Sequence, residues 1–209
     1  MSASLVLHRG GHEVPRKELV RNVLPPATRT WRPSSHEAVL DTAEQTLTEA
    51  GYRIAKMRLG VSHEGQRFFG TLNLSTPLTP DGQVALAVGL RNSTDQSFPM
   101  GFGTGARVFA CDNLTFRSEL LVKRKHTVNS VARFSVDIAY AVGALASFKE
   151  AETHRIEHLQ QEALSDAQAE SFILRACIQR GIIAQRQLPL VFRAWHEPPF
   201  EDFRPRTAW

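Results

Sequence analysis

The 209-residue chain can bury the core of one domain, and its 42% hydrophobic and 22% charged residues exclude a globally disordered protein. It has no run of about eighteen apolar residues, and its first residues lack a signal peptide's apolar core, so we expect a cytoplasmic protein without a membrane span. The net charge of +4 is unevenly spread: basic residues concentrate in the N-terminal arm and between Arg107 and Arg133, whereas residues 150–170 are acidic.

The beginning of the chain predicts an arm followed by a helix. Residues 1–33 contain four prolines and little periodicity, which is typical of a wrapping arm. A helix is predicted from Ser34, because Ser34 and Glu37 have capping-box spacing, apolar residues follow on one face, and Gly51 can end it.

The next segments predict an antiparallel sheet. Residues 52–61 and 66–74 have extended patterns, and Glu64-Gly65 between them favours a tight hairpin turn. Residues 84–90 form a continuous apolar run of strand length, which indicates a strand buried on both faces.

The middle of the chain predicts a loop between strands. Residues 92–105 are rich in Ser, Gly and Pro, and further strands are expected at 107–110 and 115–122. We expect the backbone of the site to be shaped by Asn92, Asp95, Gly101, Gly103, Gly105 and Asn113.

The remaining residues predict helices. Residues 131–161 read as one long helix, residues 165–180 as a second, and a third is expected to begin near Pro189. The sequence therefore predicts an α+β fold: an N-terminal arm and helix, an antiparallel β-meander of about 4–5 strands, a long helix and a C-terminal helical segment. We divide it into an arm (1–33), an α+β core (34–130) and a helical segment (131–209) that packs on the core.

A basic run suggests contact with phosphates. Lys123, Arg124, Lys125 and His126 precede the long helix, whose N-terminus favours anions. Four further basic residues lie nearby in the sequence, and two phenylalanines could stack on bases. The complete candidate set for nucleic-acid binding is Arg91, Arg107, Arg117, Lys123, Arg124, Lys125, His126, Arg133, Phe98 and Phe102.

Other motifs leave an enzymatic alternative open. His154 and His158 have the HxxEH spacing of an inverted zinc protease motif, but in a mostly charged helix a solvated face is the preferred explanation. Cys111 could pair with His126 as a nucleophile near Asp95, although a cysteine that ends an apolar run is typical of a core. No cofactor is predicted, since the glycine-rich residues 101–105 lack the motifs of nucleotide-binding loops and neither cysteine lies in a CxxC pair.

Several short segments resemble a known family. The sequences GLRNSTDQS, GARVFACDN, VKRKHT, LHRGGHEV, PPATRTWRPSSH, QRFFGTLNL and WHEPPFEDFRPRTAW are similar to the phage/plasmid-like protein family catalogued as domain of unknown function 932. Members of that family typically continue beyond the last segment, where this chain stops. The resemblance implies a mobile-element context, and no activity is established for the family.

The order of predicted elements is also similar to the core of phage single-strand annealing proteins, which form oligomeric rings with a basic groove. Together these resemblances and the basic run predict a non-enzymatic homo-oligomer that binds single-stranded DNA in phage or plasmid DNA metabolism, including recombination. Two alternatives remain: a metal- or thiol-dependent hydrolase, and a structural or host-directed interaction protein of a mobile element.

Overall fold

The computed structural model describes residues 11–19, 23–108 and 113–209, with the backbone alone at residues 107, 108, 113–121 and 202. The described residues form a six-stranded antiparallel sheet whose spatial order follows the chain. Its strands are β1 (His12–Glu13), β2 (Ile54–Ser62), β3 (Arg67–Pro77), β4 (Val84–Ser93), β5 (Met100–Val108) and β6 (Asn113–Arg124). The described helices are α1 (Arg16–Leu19), α2 (His36–Glu49), α3 (Ser130–Gly143), α4 (Leu145–Gln161), α5 (Asp166–Ile178) and α6 (Leu188–His196), with 3-10 turns at Gln185–Gln187 and Glu201–Phe203. The predicted α+β fold is therefore confirmed, and β1 shows that the arm adds an edge strand.

The alternation of side chains gives the sheet two different faces. On one face Phe68, Leu72, Leu86 and Phe102 are fully buried. Because successive residues of a strand point to opposite faces, the neighbours of these residues belong to the other face. That second face carries Arg67, Arg91 and Lys123.

Two helices cover the apolar face. Helix α2 packs against α3 and β4, and α3 also packs against β6. Leu40 and Leu47 of α2, with Phe134 and Ile138 of α3, are each no more than 1% exposed and fill the space above the sheet. Burial of such side chains stabilises the fold by about 2 kcal/mol each.

Of two local predictions, a hairpin turn is confirmed and a helix cap is off by one residue. The tight turn at Glu64-Gly65 is confirmed, because Gln66 N–H donates to His63 C=O over 3.0 Å and both central residues have positive φ. The helix cap, however, is Ser35 and not Ser34: Ser35 Oγ accepts from Ala38 N–H over 3.0 Å. Ser34 belongs instead to a buried hydrogen-bond network with Asn92 of β4.

The predicted loop at residues 92–105 is wrong over most of its length. Strand β4 continues to Ser93 and β5 begins at Met100, so the connection is residues 94–99. Gly101, Gly103 and Gly105 lie within β5, and the ladder to β4 is regular there. Glycine lowers strand propensity but is accepted where a neighbouring side chain needs its space.

The predicted long helix is interrupted. Helix α3 ends at Gly143 and α4 begins at Leu145. The N–H of Ala144 still donates to Tyr140 C=O over 3.2 Å, so the break is confined to one residue. Glycine is the weakest helix former after proline, and its place at this break is consistent with that.

The chain divides into two compact units, residues 1–150 and 151–209. Within the second, Arg206 stacks on Trp195 at 4.9 Å and donates to the C=O groups of Trp195 and His196 at the end of α6. Among the described residues no single helix has the length and apolarity to cross a membrane, and only the bent pair α3 and α4 satisfies both criteria together.

Candidate nucleic-acid interface

A row of paired residues crosses four strands on the face opposite α2 and α3. Phe69 of β3 pairs with Arg91 of β4, Arg91 with Gly101 of β5, and Gly101 with Lys123 of β6. Directly paired residues point to the same face, so this set, called the Arg91 row, lies side by side. Strands are spaced about 4.8 Å apart, which puts Phe69 and Lys123 roughly 14 Å apart.

The side chain of Arg91 lies flat across the sheet. A Cβ atom at position 101 would approach Arg91 Cγ to 2.9 Å, so glycine provides the space that Arg91 occupies. Nε of Arg91 is buried without a hydrogen-bond partner, and no described carboxylate forms an ion pair with its guanidinium. The cation is therefore not neutralised by the described part of the protein.

Two phenylalanines flank this guanidinium. The rings of Phe69 and Phe98 are 5.4 Å apart, and the Arg91 guanidinium carbon lies 5.5 Å from the Phe98 ring centroid. Phe69 is 38% exposed and Phe98 is half-buried, so both rings reach the surface. Exposed aromatic rings beside cations are the elements that bind unpaired bases in single-stranded nucleic-acid sites.

Lys123 and Arg124 point to opposite faces because a strand has a period of two. Lys123 is exposed at the end of the Arg91 row. Arg124 turns to the helical face and forms an ion pair with Asp137 of α3, in which its Nη2 donates to Oδ1 over 2.9 Å. This bond raises the pKa of Arg124 and lowers that of Asp137. The basic run is thus divided between two surfaces.

His126 is buried, with 4% of its surface exposed, and is excluded from the candidate interface. Its Nδ1 accepts from Ser34 N–H over 3.3 Å, and its Nε2 has no hydrogen-bond partner among the described residues. The C=O of Ser34 accepts from Asn92, whose amide nitrogen also lies 2.9 Å from Nδ1 of His36. Asn92 therefore joins β4 to the start of α2 and does not shape a loop.

Burial lowers the pKa of both histidines of this network. For His36 burial has the largest effect, and it outweighs the hydrogen bond to Gly65 C=O, which acts in the opposite direction. For His126 burial alone lowers the pKa. Both imidazoles are consequently neutral at pH 7, where their Nδ1 atoms can accept hydrogen bonds.

The other predicted residues are dispersed. Phe102 is fully buried in the apolar core and cannot stack on a base from solvent. Arg107 pairs with Ala85 and so occupies a register position on the face of Arg91, whereas Arg117 pairs with Thr104, at a register position of the opposite face. Lys125 follows β6, and Arg133 lies on α3; both are exposed. Asn113 begins β6.

Sequence reasoning missed two residues of the interface, Arg67 and Phe69. Arg67 donates from Nε to Asp95 Oδ2 over 2.6 Å. The signal was available in the adjacent pair Phe68-Phe69, because only one of two consecutive strand residues can face the core. Phe68 faces the core, which directs Phe69 to the basic face together with Arg67.

The exposed part of this face is limited to the end that bears the Arg91 row. Further along the same strands Arg58, Asn73 and Ala87 are buried, with exposures of 7%, 2% and 0%. Arg58 also forms an ion pair with Glu13 of β1 at 3.4 Å. The accessible cations are therefore those near the loop between β4 and β5.

Among the described residues, the side chains of the enzymatic motifs are not brought together into a metal or thiol site. His154 is exposed and lies 3.7 Å from Glu157 of the same helix. The described part of the chain has no group of three or more His, Cys, Asp or Glu side chains placed to hold a metal ion. Cys111 and Asp112 lie outside the described residues, and His126 and Asp95 belong to separate hydrogen-bond networks.

A cavity of about 490 Å³ lies between α1 and the β2–β3 turn. Its lining includes Glu18 and Glu64, and both carboxylates are exposed residues near its rim. These carboxylates would repel a phosphate, because both groups are negatively charged. The cavity is therefore not an extension of the Arg91 row.

No family model, curated protein or solved structure matches the chain. The similarity to the phage/plasmid-like family and to annealing proteins accordingly stays a prediction from short motifs and element order.

Proposed function

We propose that this protein binds single-stranded nucleic acid at the exposed end of the sheet face that bears the Arg91 row, with single-stranded DNA as the expected form. The observation that carries the proposal is the Arg91 row, in which Phe69, Arg91, Gly101 and Lys123 occupy paired positions on four neighbouring strands. The tilted ring of Phe98 lies 5.4 Å from the Phe69 ring and 5.5 Å from the Arg91 guanidinium carbon. In such binding, contacts with phosphates supply most of the affinity. Stacking of bases on aromatic rings adds to the affinity and does not depend on the base sequence.

The chemistry favours a single strand over a duplex. Phe69 lies on the sheet and Phe98 on the adjoining connection between β4 and β5, and stacking on these rings requires bases whose faces are accessible. Arg91 and Lys123 are cations without an ion pair among the described residues, so each is available to a phosphate next to such a base. In a duplex the bases are stacked inside the double helix, so a duplex could contact the cations but could not stack on the phenylalanine rings.

The sequence resemblances add two expectations to this proposal. The protein would act as a homo-oligomer, and it would serve phage or plasmid DNA metabolism, for example in strand annealing. Chromatography with light scattering, with and without oligonucleotide, measures the first of these directly.

The direct test is a titration of a labelled oligothymidylate at several salt concentrations. The two cations of the row that have no ion pair among the described residues, Arg91 and Lys123, predict a slope of log K against log salt of roughly −1.4. The double variant Arg91→Ala/Lys123→Ala should bind far more weakly. The matched control Lys17→Ala/Arg53→Ala removes two exposed cations, one in α1 and one just before β2, and should bind almost as the wild type.

Two outcomes would reject the proposal. One is no binding at low ionic strength, and the other is binding without any dependence on salt. A duplex of the same length that binds more tightly than the single strand would reject the preference for single strands.

A further inference from the structure

An acidic residue forms an ion pair with Arg67 beside the Arg91 row. Asp95 belongs to the connection between β4 and β5, and its side chain is 15% exposed. Its Oδ2 accepts from Arg67 Nε over 2.6 Å. Its Oδ1 accepts from the Ser97 N–H over 3.0 Å and from the Ser97 hydroxyl. A carboxylate here weakens the attraction for phosphates, so its position requires a different explanation.

The same connection carries Phe98. Ser93 Oγ donates to Phe98 C=O over 2.7 Å and accepts from Phe98 N–H over 3.0 Å. Gln96 has a φ of +65°, an uncommon value for a residue other than glycine, and it lies between Asp95 and Ser97. Hydrogen bonds on both sides thus hold the short turn that presents the Phe98 ring.

The hydrogen bonds of Asp95 favour its ionised form. Burial alone would raise its pKa, but hydrogen bonds from Ser97 and from Arg67 outweigh burial and lower the pKa to about 2. Charge-assisted hydrogen bonds of this kind are about twice as strong as neutral ones. The carboxylate can therefore hold Arg67 and the turn at the same time.

We infer that Asp95 is a positioning residue of the nucleic-acid interface, which holds Phe98 and Arg67 in place to receive an unpaired base and its phosphate. The inference rests on the proposed function and specifies one part of it. Asp95 reduces the net positive charge of the surface, and in return it orders the ring on which a base stacks. Preorganised groups bind more tightly because less freedom is lost on binding.

The inference opposes simple electrostatics, which makes it testable. The variant Asp95→Asn removes a negative charge, so an interface that acted by charge alone would bind DNA more tightly. If Asp95 positions Phe98, the variant should bind oligothymidylate at least about fivefold more weakly, because stacking on one ring is disturbed. The matched control Asp81→Asn removes the same charge at the opposite end of the β3–β4 hairpin and should bind as tightly as the wild type, or more so.

A second probe separates positioning from a general loss of structure. An abasic oligonucleotide of the same length offers phosphates without bases, so its binding reports the cations alone. Asp95→Asn should lose affinity for oligothymidylate but keep most of its affinity for the abasic strand. Ser97→Ala, which leaves the charge unchanged and removes one donor to Asp95, should shift the same ratio by a smaller amount.

The outcomes distinguish the inference from the proposed function. If the wild type binds oligothymidylate and Asp95→Asn binds it equally or more tightly, the inference is rejected and the function stands. Equal losses for both probes, in Asp95→Asn and in Ser97→Ala, also reject it. No binding by the wild type rejects both.

Discussion

Arg91 lies directly across the backbone of Gly101: a Cβ atom at position 101 would stand 2.9 Å from Cγ of Arg91 and 3.0 Å from its Nε. The glycine therefore has a steric role in β5, where it allows the guanidinium to lie flat and reach the ring of Phe98. We expect this relationship to determine how the interface is presented.

The first prediction follows from that contact. Gly101→Ala should change the free energy of unfolding by about 1 kcal/mol or less, because Arg91 has a flexible side chain that can rotate away. Affinity for oligothymidylate should fall toward that of Arg91→Ala. In a double-mutant cycle the two losses should be clearly less than additive, since both variants remove the same arrangement. Additive losses would show that Gly101 does not act through Arg91.

The second prediction depends on Lys123 and Arg124, which point to opposite faces of the sheet. Lys123→Ala should weaken binding of single-stranded DNA and reduce the salt slope by about 0.7, the contribution of one phosphate contact. Arg124→Ala should leave the slope nearly unchanged, because its side chain pairs with Asp137 on the helical face. Salt titrations of both variants measure the difference. Equal slopes in the two variants would contradict the assignment of faces.

The third prediction separates two phenylalanines that the sequence could not distinguish. Phe102→Ala should destabilise the protein by about 3–5 kcal/mol, because Phe102 is fully buried in the core. Phe98→Ala should cost about 1–2 kcal/mol in stability and reduce DNA affinity on the order of tenfold. Urea denaturation and anisotropy titration of each variant test this pair. If Phe98→Ala binds as the wild type does, the stacking role is wrong.

The fourth prediction concerns acid. His36 and His126 have pKa values lowered from 6.5 by burial, so the unfolded state binds protons more readily than the folded state. The free energy of unfolding should be highest above pH 6.5 and should decrease as the pH falls from 6.5 toward the folded pKa values. Urea denaturation at about pH 8 and about pH 5 measures the change.

The controls for that experiment depend on the charged groups near His36. The charge of His126 lowers the pKa of His36, and Asp95, whose charge raises it, has a pKa of about 2 and does not titrate in this range. His126→Gln should flatten the pH dependence, whereas His154→Gln, at a side chain that is 74% exposed, should not. Stability that is constant or rises as the pH falls would refute the assignment.

Much of the fold could be predicted because it depends on local patterns. The apolar run at 84–90 is a central strand with only Gly89 half-exposed, and Glu64-Gly65 makes the predicted turn. The glycines of residues 101–105 favour a loop by composition, which does not show that Arg91 on the next strand needs the space that Gly101 leaves. The edge strand β1 was missed, since two residues are too few to show a period.

The candidate site was less predictable, for a physical reason. By itself the sequence determined that the chain has a sheet, that helices follow it, and that cations and phenylalanines cluster near residues 91–126. Only the tertiary structure decided which of them share a face: strand register places Phe69, Arg91 and Lys123 together, and packing buries Phe102 and His126. Register and burial depend on contacts between residues far apart in the chain, which a local pattern does not specify.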